Sequence, residues 1–416
     1  MPEVNSIELF EADSHIGGHT NTVGIELDDK HYNVDTGFIV FNKRTYPNFL
    51  SLLSELNVDY QPSEMGFSVS SAISGLEYCG SSLNALFSQR RNLINPRFYK
   101  LLRAIVRFNT HAPAWLNSNS DNPSLGDFLN SHGYYSGFID NYIIPMGAAI
   151  WSTPPKQMLE FPARTFIQFF KNHGLLTVAD HPQWYVIKGG SKVYVEKLIA
   201  PFKKSVHVNN AVKSVRRYPT HVELITTDGT HRFDYVFIGS HSDEALAMLS
   251  DTSANEREIL SAIKYHPNEA ILHTDISLLP KKRRAWAAWN YFVPDSDDMS
   301  VVLTYNMNIL QNIQAPCEFC VTLNNSDKIN PKRVLSRIQY AHPIFDRAAI
   351  DAQKRWPEIN GTNRSYFCGA YWGYGFHEDG VNSALRAINL FSEKIRYEQQ
   401  NIQRMDKAST LSVQVS

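Results

Sequence analysis

The chain has 416 residues, of which 43% are hydrophobic and 19% are charged. At about 150 residues per domain this length indicates two or three domains with a large buried core, and the composition excludes a disordered chain. The 40 Lys and Arg residues balance 41 Asp and Glu residues, so no net charge drives binding to nucleic acid or to an anionic membrane. Any charged partner must be met by a local patch.

Four cysteines are too few for a disulfide scaffold in a chain of this size, so we expect a reducing cytoplasm. The most apolar region, 138–151, is interrupted by Asp140, Asn141 and Pro145, whereas about 18 uninterrupted apolar residues are needed to span a bilayer. We expect this region to be buried or interfacial. Peripheral contact with a membrane stays open, and the sequence does not indicate an oligomeric state.

A strand, a glycine turn, a hairpin and a helix are predicted in that order from the start of the chain. Residues 7–10 alternate as in a short strand, which ends at Glu11 and enters a turn that contains Gly17 and Gly18. The next segments, predicted as a hairpin and a helix, are 24–27 with 31–35, and 46–56.

Helical patterns then dominate the sequence from about residue 62 to residue 184. The periodicity predicts helices at 96–116, 124–132 and 163–173, and Ser124 is a suitable N-cap for the second of them. This block is typical of a separate, largely helical cap.

Strand patterns return after residue 184. They predict two groups of strands, at 184–187, 206–208, 211–217, 221–227 and 233–239, and at 271–275, 286–292, 301–306 and 319–323. A final strand is predicted at 364–369 and a final helix at 381–397. Beyond it the sequence is polar and aperiodic, so we expect 398–416 to be a disordered tail.

Glu11 is the first candidate functional residue. In dinucleotide-binding folds an acidic residue at the end of a strand accepts hydrogen bonds from the adenosine ribose. Taken alone, Glu11 is explained as well by an ordinary strand end before an ordinary glycine turn. The choice between these readings depends on the rest of the sequence.

Two segments decide this choice, Glu11-Ala-Asp-Ser-His-Ile-Gly-Gly-His-Thr20 and Phe367-Cys-Gly-Ala-Tyr-Trp-Gly-Tyr-Gly-Phe-His-Glu-Asp-Gly380. Together they resemble the FAD-binding flavoproteins of the amine oxidase and phytoene desaturase superfamily, and most closely the bacterial NAD/FAD-binding amine-oxidase-like proteins. The resemblance extends from Ile7 to Tyr397. It also takes in 147–152, 188–191, 212–215 and 286–291.

The resemblance implies an α/β fold. It consists of a Rossmann-like FAD-binding domain, whose first strand and helix are absent, and a second α+β substrate domain with a helical cap. The FAD-binding domain would be discontinuous and comprise 1–61, 185–255 and 360–397. The substrate and cap domain would comprise 62–184 and 256–359.

The resemblance also implies where FAD binds. Glu11 would hold the adenosine ribose, and Val212 would contact adenine through its backbone. The residues expected to pass close to the pyrophosphate and flavin are Gly17, Gly18, His19 and Thr20. The residues expected to line the flavin edge, where the N-terminus of the last helix would face negative charge, are Gly369, Asp379, Gly380 and Val381. No cysteine stands where monoamine oxidases anchor flavin, so FAD is expected to bind noncovalently.

Two departures from the family pattern bear on the substrate. Amine oxidases commonly carry a Tyr after the glycine that corresponds to Gly375, where it helps to form an aromatic cage for the amine, and this chain has Phe376. They also tend to have an acidic residue soon after the glycine that corresponds to Gly369, a charge that Glu378 and Asp379 can supply instead. Phe376, together with the apolar stretch 143–151, leads us to favour an apolar or lipid-like substrate over a primary amine.

The expected function is an FAD-dependent, two-electron oxidation of that substrate, with hydride transfer to flavin N5 as in a desaturase. The alternatives are an amine oxidase and a noncatalytic or degenerate flavin-binding protein. No catalytic base is assigned. Candidate substrate-lining residues, each explained as well by core packing, are Trp151, Trp286, Trp289, Tyr291, Tyr374 and Phe376.

Metal sites are rejected. Cys317 and Cys320 have the spacing of half a zinc site, but no second cysteine pair exists, and core packing explains them better. His15 and His19 are four residues apart, but the two glycines between them make a helix unlikely to form. The absence of a G-x-S-x-G motif argues against an α/β-hydrolase.

The G-x-G-x-x-G fingerprint is expected about 20 residues before the acidic residue, yet ten residues precede Glu11. We therefore expect the sequence as given to lack the first strand, the phosphate-binding glycine loop and the first helix of the FAD-binding domain. A truncated N-terminus explains this arrangement better than a different fold.

This expectation can be tested with two purified proteins, the 416-residue chain and a form extended upstream by about 25–30 residues, the usual size of a strand, glycine turn and helix. The shorter chain should retain FAD poorly and melt at a lower temperature, because the pyrophosphate loses its backbone N–H donors. Saturable FAD loading of the shorter chain, with an equal melting temperature, would contradict the expectation.

Overall fold

The computed structural model describes residues 6–118, 121–177, 181–295 and 301–413. The described residues form two units. The first comprises those of 1–16, 199–263 and 350–416, and the second comprises those of 17–198 and 264–349. Residues 17–61 and 185–198, which we expected within the FAD-binding domain, pack within the second unit.

The helices of the described ranges are as follows. They are α1 (Pro47–Glu55), α2 (Leu83–Leu86), α3 (Pro96–Ser118), α4 (Leu125–Ser131), α5 (Ser136–Phe138), α6 (Ile144–Trp151), α7 (Pro155–Glu160), α8 (Ala163–Asn172), α9 (Lys192–Ile199), α10 (Ser242–Met248), α11 (Ala254–Ala262), α12 (Met307–Leu310), α13 (Arg347–Lys354), α14 (Trp356–Ile359) and α15 (His377–Val413). A π-helical turn, Ile139–Ile143, precedes α6.

The strands are β1 (Leu9–Phe10), β2 (Thr22–Leu27), β3 (Lys30–Asp35), β4 (Phe41–Asn42), β5 (Tyr60–Ser63), β6 (Phe67–Ser71), β7 (Glu77–Cys79), β8 (Trp184–Ile187), β9 (Val206–His207), β10 (Ser214–Arg217), β11 (Val222–Ile225), β12 (Thr230–Phe233), β13 (Val236–Ile238), β14 (Lys264–His273), β15 (Trp289–Val293), β16 (Val302–Asn306), β17 (Cys320–Leu323), β18 (Val334–Ile344) and β19 (Ser365–Phe367). The predicted hairpin is confirmed as β2 and β3. Its turn residues Asp28 and Asp29 both have positive φ, as a two-residue hairpin turn requires.

The first unit combines parallel and antiparallel strand pairs. β1 pairs in parallel with β9, and β13 pairs in parallel with β19. β10, β11 and β12 form an antiparallel sheet. Arg217 at the end of β10 forms a buried, bidentate ion pair with Glu256 of α11 and a second ion pair with Asp251 at 3.0 Å. Breaking a buried pair leaves an uncompensated charge, so this cluster fixes the helix against the sheet.

The second unit contains a seven-stranded sheet in the order β18-β14-β17-β16-β15-β6-β7. The strands β6 and β7 lie inside the block that the sequence analysis assigned to a mainly helical cap, so that assignment is wrong for residues 67–79. Serines occupy three of the five positions of β6 and weaken its strand signal. β6 is stabilised by pairing with β15, which lies more than 200 residues away along the chain.

One face of this sheet is apolar, and the opposite face carries a row of buried polar side chains. Leu272, Leu303 and Val321 pack into the apolar core. On the other face Ser68 donates to Asn290 Oδ1 at 2.8 Å, and the Asn290 amide donates to a backbone carbonyl of β16 at 3.1 Å. A one-residue slip of β6 would leave buried polar groups unpaired, so this row fixes the strand register.

The polar row ends at His273. Its Nδ1 accepts a hydrogen bond from the backbone N–H of Asp275 at 3.0 Å, so Nε2 carries the proton and donates to Thr322 Oγ1 at 2.7 Å. Thr322 in turn bonds to Thr304 Oγ1 at 2.8 Å. Burial lowers the pKa of His273 to about 4. The side chain is therefore neutral near pH 7, and its role here is structural.

The last helix is longer than the sequence analysis predicted. α15 continues to Val413, whereas we expected a tail without regular structure from residue 398. Glu398 accepts a hydrogen bond from Tyr235 Oη at 3.0 Å, and the following residues are mostly strong helix formers. Among helices in the described ranges, none has both the length and the apolar composition required to cross a bilayer.

Candidate functional site

Glu11 lies directly after β1, and its backbone is held on both sides. Its N–H donates to the His207 carbonyl, and its own carbonyl accepts from Asn210 N–H, each at 2.9 Å. The carboxylate is half-buried and accepts the backbone N–H of Asp13 at 2.9 Å. The carboxylate therefore has a fixed position and retains further acceptor capacity.

The loop that contains Val212 lies next to Glu11. Val212 is half-buried and follows Asn210, which is bonded to Glu11, by two residues. The next residue, Lys213, donates its N–H to the Ile225 carbonyl at 2.7 Å, which begins the β10-β11-β12 sheet. The structure thus brings Glu11 and Val212 to one region of the first unit.

The loop between β19 and α15 is a series of tight turns. Gly375 has φ +91° and donates its N–H to the Ala370 carbonyl at 3.1 Å. The side chain of Gln353 donates to the carbonyls of Tyr371 and Gly373, at 2.8 and 2.6 Å. At Gly373 a Cβ would collide with the Asp379 carboxylate. Only glycine is tolerated at this approach.

Asp379 closes the N-terminus of α15. Its carboxylate accepts the Phe376 N–H at 3.0 Å. Burial raises the pKa of Asp379 to about 6, helped by the nearby Glu378 carboxylate and opposed by the N–H groups of Phe376 and Tyr374. The next residue, Gly380, has room for a Cβ, which would make one ordinary contact, at 4.0 Å from the Ala370 Cβ. Val381 is half-buried in the same turn.

The first glycine turn of the sequence, with its neighbours, belongs to the second unit. Gly17 and Gly18 have φ +127° and +56°, and Thr20 N–H donates to the Gly17 carbonyl at 2.9 Å. Thr20 Oγ1 lies 2.7 Å from Tyr194 Oη, and the His19 ring stacks on Tyr340 at 4.8 Å. A Cβ on Gly18 would meet no atom within 4 Å.

A buried carboxylate that the sequence analysis did not single out, Asp35, lies at the end of β3. It accepts hydrogen bonds from Thr22 Oγ1 at 2.5 Å, Ser191 Oγ at 2.8 Å, Ser191 N–H at 2.9 Å and Gln311 Nε2 at 2.9 Å. Burial raises the pKa of Asp35 to about 6 in spite of these donors. At Gly190, which has φ +90°, a Cβ would overlap Thr22. The carboxylate thus fixes the glycine turn before α9.

The four candidate lining residues of the second unit do not form one group. Trp289 and Tyr291 lie on the same face of β15, against the apolar core. Trp151 packs among phenylalanine rings of the helices. Trp286 donates its indole N–H to the Pro280 carbonyl at 2.8 Å.

Tyr374 and Phe376 flank Gly375 in the first unit, and both are half-buried. The role of every candidate site residue stays a prediction.

One signal in the sequence could have drawn attention to Asp35, an acidic residue that ends an alternating strand just before Gly37. Gln311 carries no such signal, because it is 276 residues away along the chain.

Comparisons with known proteins show which family and which solved structures the chain resembles. Residues 6–273 match the family model described as flavin containing amine oxidoreductase. Cyclohexylamine oxidase from Brevibacterium oxydans IH-35A is similar in structure, with a TM-score of 0.65 and 12% identity over 94% of each chain. No curated protein matches the chain.

Two further solved structures are similar. A putative protoporphyrinogen oxidase from Exiguobacterium sp. 255-15 has a TM-score of 0.64 and 13% identity over 94% of this chain and 93% of its own. A CLA-producing fatty acid isomerase from P. acnes has a TM-score of 0.61 and 13% identity over 91% of each chain. These similarities show a shared fold.

The fold and the family match define an FAD-dependent oxidoreductase. Because the matched residues make up more than half of the chain, it belongs to the flavin-containing amine oxidoreductase family. The resemblance found in the sequence and the α/β fold class are confirmed. Within the first unit, the acceptor carboxylate of Glu11 and the room beside Gly380 fit such a cofactor.

The predicted ribose contact can be tested in the form extended upstream with Glu11→Gln, which keeps the size of the side chain and removes its charge. A charge-assisted hydrogen bond contributes about 1.5–3 kcal/mol, so FAD affinity should fall about ten- to a hundredfold. Fluorescence titration of the apoprotein with FAD measures this affinity. Glu55→Gln, at an exposed helix end, is the control and should bind as the wild type does. Equal affinity for Glu11→Gln would remove Glu11 from the site.

The buried Asp35 predicts a pH dependence of stability. Its pKa in the folded protein, about 6, lies above the ordinary value of 3.8, so folding disfavours the ionised form. The free energy of unfolding should fall by about 2 kcal/mol as the pH rises from about 4 to about 7. Urea unfolding of the wild type and of Asp35→Asn at several pH values measures this free energy, because the variant has no carboxyl group at position 35 to titrate. Parallel pH profiles would contradict the prediction.

Proposed function

We propose that the protein catalyses a two-electron oxidation of an apolar, lipid-like substrate, of the kind a desaturase performs, with noncovalently bound FAD. Bound FAD supplies the hydride acceptor. The observation that carries the substrate class is Phe376, a side chain without a hydroxyl, at the position where amine oxidases commonly have the Tyr of their amine cage. Phe376 lies directly before α15, next to Asp379.

The proposed cofactor contacts come from one side chain, that of Glu11, and from backbone groups. Glu11 would accept hydrogen bonds from ribose hydroxyls, and the backbone of Val212 would contact adenine. The N-terminus of α15, at Gly380 and Val381, would stabilise negative charge through its backbone dipole. Gly18 leaves room for close approach. No cysteine stands where monoamine oxidases anchor flavin, which is the reason to propose noncovalent binding, and the small number of cysteines is the reason to propose a reducing cytoplasm.

The aromatic face of β15 supports an apolar substrate. Trp289 and Tyr291 lie on this face, and the Trp289 ring meets Tyr305 edge to face at 5.0 Å. Burial raises the pKa of Tyr291 far above its usual range, which reflects its apolar surroundings. The buried indole N–H of Trp289 has no acceptor among the described residues. An apolar molecule with one acceptor oxygen would supply it.

The described core of the second unit offers few carboxylates that could neutralise a primary ammonium. Two carboxylates are buried there, Asp35 and Asp275. Asp35 is surrounded by donors, and Asp275 accepts the backbone N–H groups of Ser277 and Asn330 at 3.0 and 2.9 Å. Because both carboxylates already have donors, neither is well placed to bind a charged amine.

The alternative is an amine oxidase. The family description and the similarity to cyclohexylamine oxidase support this alternative, whereas the similarity to a fatty acid isomerase supports a lipid-like substrate. The two activities differ in the charge of the molecule that enters the site. They are therefore separable by a matched pair of substrates.

The test mixes FAD-loaded protein anaerobically with a long-chain fatty acid and, separately, with the primary amine of the same chain length. We expect the acid to bleach the oxidised flavin and the amine to have little effect, because the two buried carboxylates in the described core of the second unit already have donors. The rate of bleaching is the measurement. Bleaching by the amine alone would overturn the lipid-like substrate.

A variant sharpens this test. Trp289→Phe removes one N–H donor and should raise the KM for the acid about fivefold or more, with no effect on a hydrocarbon that lacks an acceptor. Tyr397→Phe, on the exposed surface of α15, is the control. An unchanged KM for the acid would remove the Trp289 N–H from the proposed contact.

A further inference from the structure

The most exposed aliphatic side chains of the described residues are close in sequence. Ile94, Leu83 and Ile73 are 88%, 77% and 69% exposed, more than any other large hydrophobic side chain described. Leu93, Tyr99 and Val106 add to them, at 49%, 40% and 55%. Single exposed apolar residues are ordinary, but a group of this size indicates an interaction surface.

The same stretch is strongly basic. Residues 78–120 contain no Asp or Glu, although the whole chain is close to neutral. The cations of this stretch are Arg90, Arg91, Arg97, Lys100, Arg103 and Arg107, and all are exposed. None of them forms an ion pair with a carboxylate of the described residues. Their charge is therefore available to a partner.

The helix α3 presents both kinds of side chain to solvent on one face. Its exposed positions include Tyr99, Lys100, Arg103, Val106 and Arg107, which recur at the three- and four-residue spacing of a single helix face. The intervening Phe98, Leu101 and Phe108 are buried. The exposed face alternates apolar and cationic groups along about two turns.

Hydrogen bonds join the other exposed residues to this helix. Tyr99 Oη donates to the Leu93 carbonyl at 3.0 Å, which holds the loop with Ile94 against α3. Arg91 donates to the Gly75 carbonyl at 2.7 Å, which holds the turn with Ile73 against the same loop. The exposed groups therefore belong to one continuous surface of the second unit.

A second basic run, Lys281-Lys-Arg-Arg284, lies beside this surface. The backbone N–H groups of Lys281 and Lys282 donate to the Glu77 carboxylate, each at 3.2 Å. The helix α2, which carries Leu83, packs against the turn at 283–285. All four side chains of the run are exposed. The surface defined by 73–107 and 281–284, called the basic apolar face below, thus carries ten cations.

We propose that the basic apolar face docks the protein on an anionic lipid bilayer. Protruding Leu and Ile side chains enter the boundary between headgroups and acyl chains, and the surrounding Lys and Arg side chains meet anionic headgroups. Nucleic acid is the less suitable partner, because single-stranded bases stack on aromatic rings, and the protruding side chains here are mainly aliphatic. This proposal does not depend on the proposed oxidation.

The experiment is flotation of the full FAD-loaded protein with two kinds of vesicle, phosphatidylcholine alone and phosphatidylcholine with about one-third phosphatidylglycerol. We expect the protein to float with the anionic vesicles and to remain largely unbound with the neutral ones. Raising the salt concentration should weaken binding. Equal binding to both vesicles, or none to either, would overturn the proposal, as would binding to a random RNA without binding to vesicles.

Two variants test the two components of the surface. Leu83→Ser with Ile94→Ser, and separately Lys281, Lys282, Arg283 and Arg284 all replaced by Gln, should each lower the vesicle affinity about tenfold or more. Matched controls are Leu335→Ser and Lys203→Gln with Lys204→Gln, at exposed positions outside the face, which should bind as the wild type does. Equal melting temperatures establish that the variants are folded, and an equal loss in the controls would overturn the assignment of the face.

Discussion

Burial of the Asp35 carboxylate costs free energy that hydrogen bonds must offset, together with a smaller electrostatic contribution from Lys192. The donors come from three separate parts of the chain, Thr22, Ser191 and Gln311. Each donor is itself buried or half-buried, so loss of the carboxylate would leave several polar groups without partners. The hairpin, the glycine turn before α9 and the segment after α12 therefore depend on a single acceptor.

Asp379 shows the same principle in the first unit. Both carboxylates have a pKa of about 6 because burial outweighs the donors around them. Each also lies close to a glycine: a Cβ on Gly373 would collide with the Asp379 carboxylate, and a Cβ on Gly190 would overlap Thr22 and lie 3.2 Å from an Asp35 carboxylate oxygen. Buried carboxylates therefore organise a glycine-rich turn in each unit, and hydrogen-bond donors stabilise their charge, mainly side-chain groups at Asp35 and backbone N–H groups at Asp379.

Local patterns predicted much of the fold. The hairpin at β2 and β3, the long helix α3 and the strand before the last glycine loop follow from periodicity and turn residues. β6 was missed because Ser68, Ser70 and Ser71 mask its strand signal, and its stability comes from a partner strand that no local window includes. The continuation of α15 was missed because a polar sequence can form a helix without an apolar stripe.

The candidate site likewise contains some residues that local motifs could predict and others that they could not. Glu11, Gly18 and Gly380 could be proposed from short motifs, because glycine and acidic residues have a direct conformational or chemical reason for their positions. The network of Asp35 with Gln311 could not be, because it joins residues that only the folded chain brings together. The basic apolar face is an intermediate case. Its charge is visible in the sequence, but its exposure is a property of the structure.

The parallel pairing of β6 with β15 has a consequence for biosynthesis. In the folded protein β6 also pairs with β7, which follows it closely in the sequence. Its other partner, β15, is synthesised more than 200 residues later, so one edge of β6 has no partner strand until then. An edge in this state can pair with the wrong strand. The serines that weaken the strand signal of β6 also make the side chains along its unpaired edge more polar. The same residues that hide the strand from sequence analysis therefore make this edge a less apolar template for pairing with another strand.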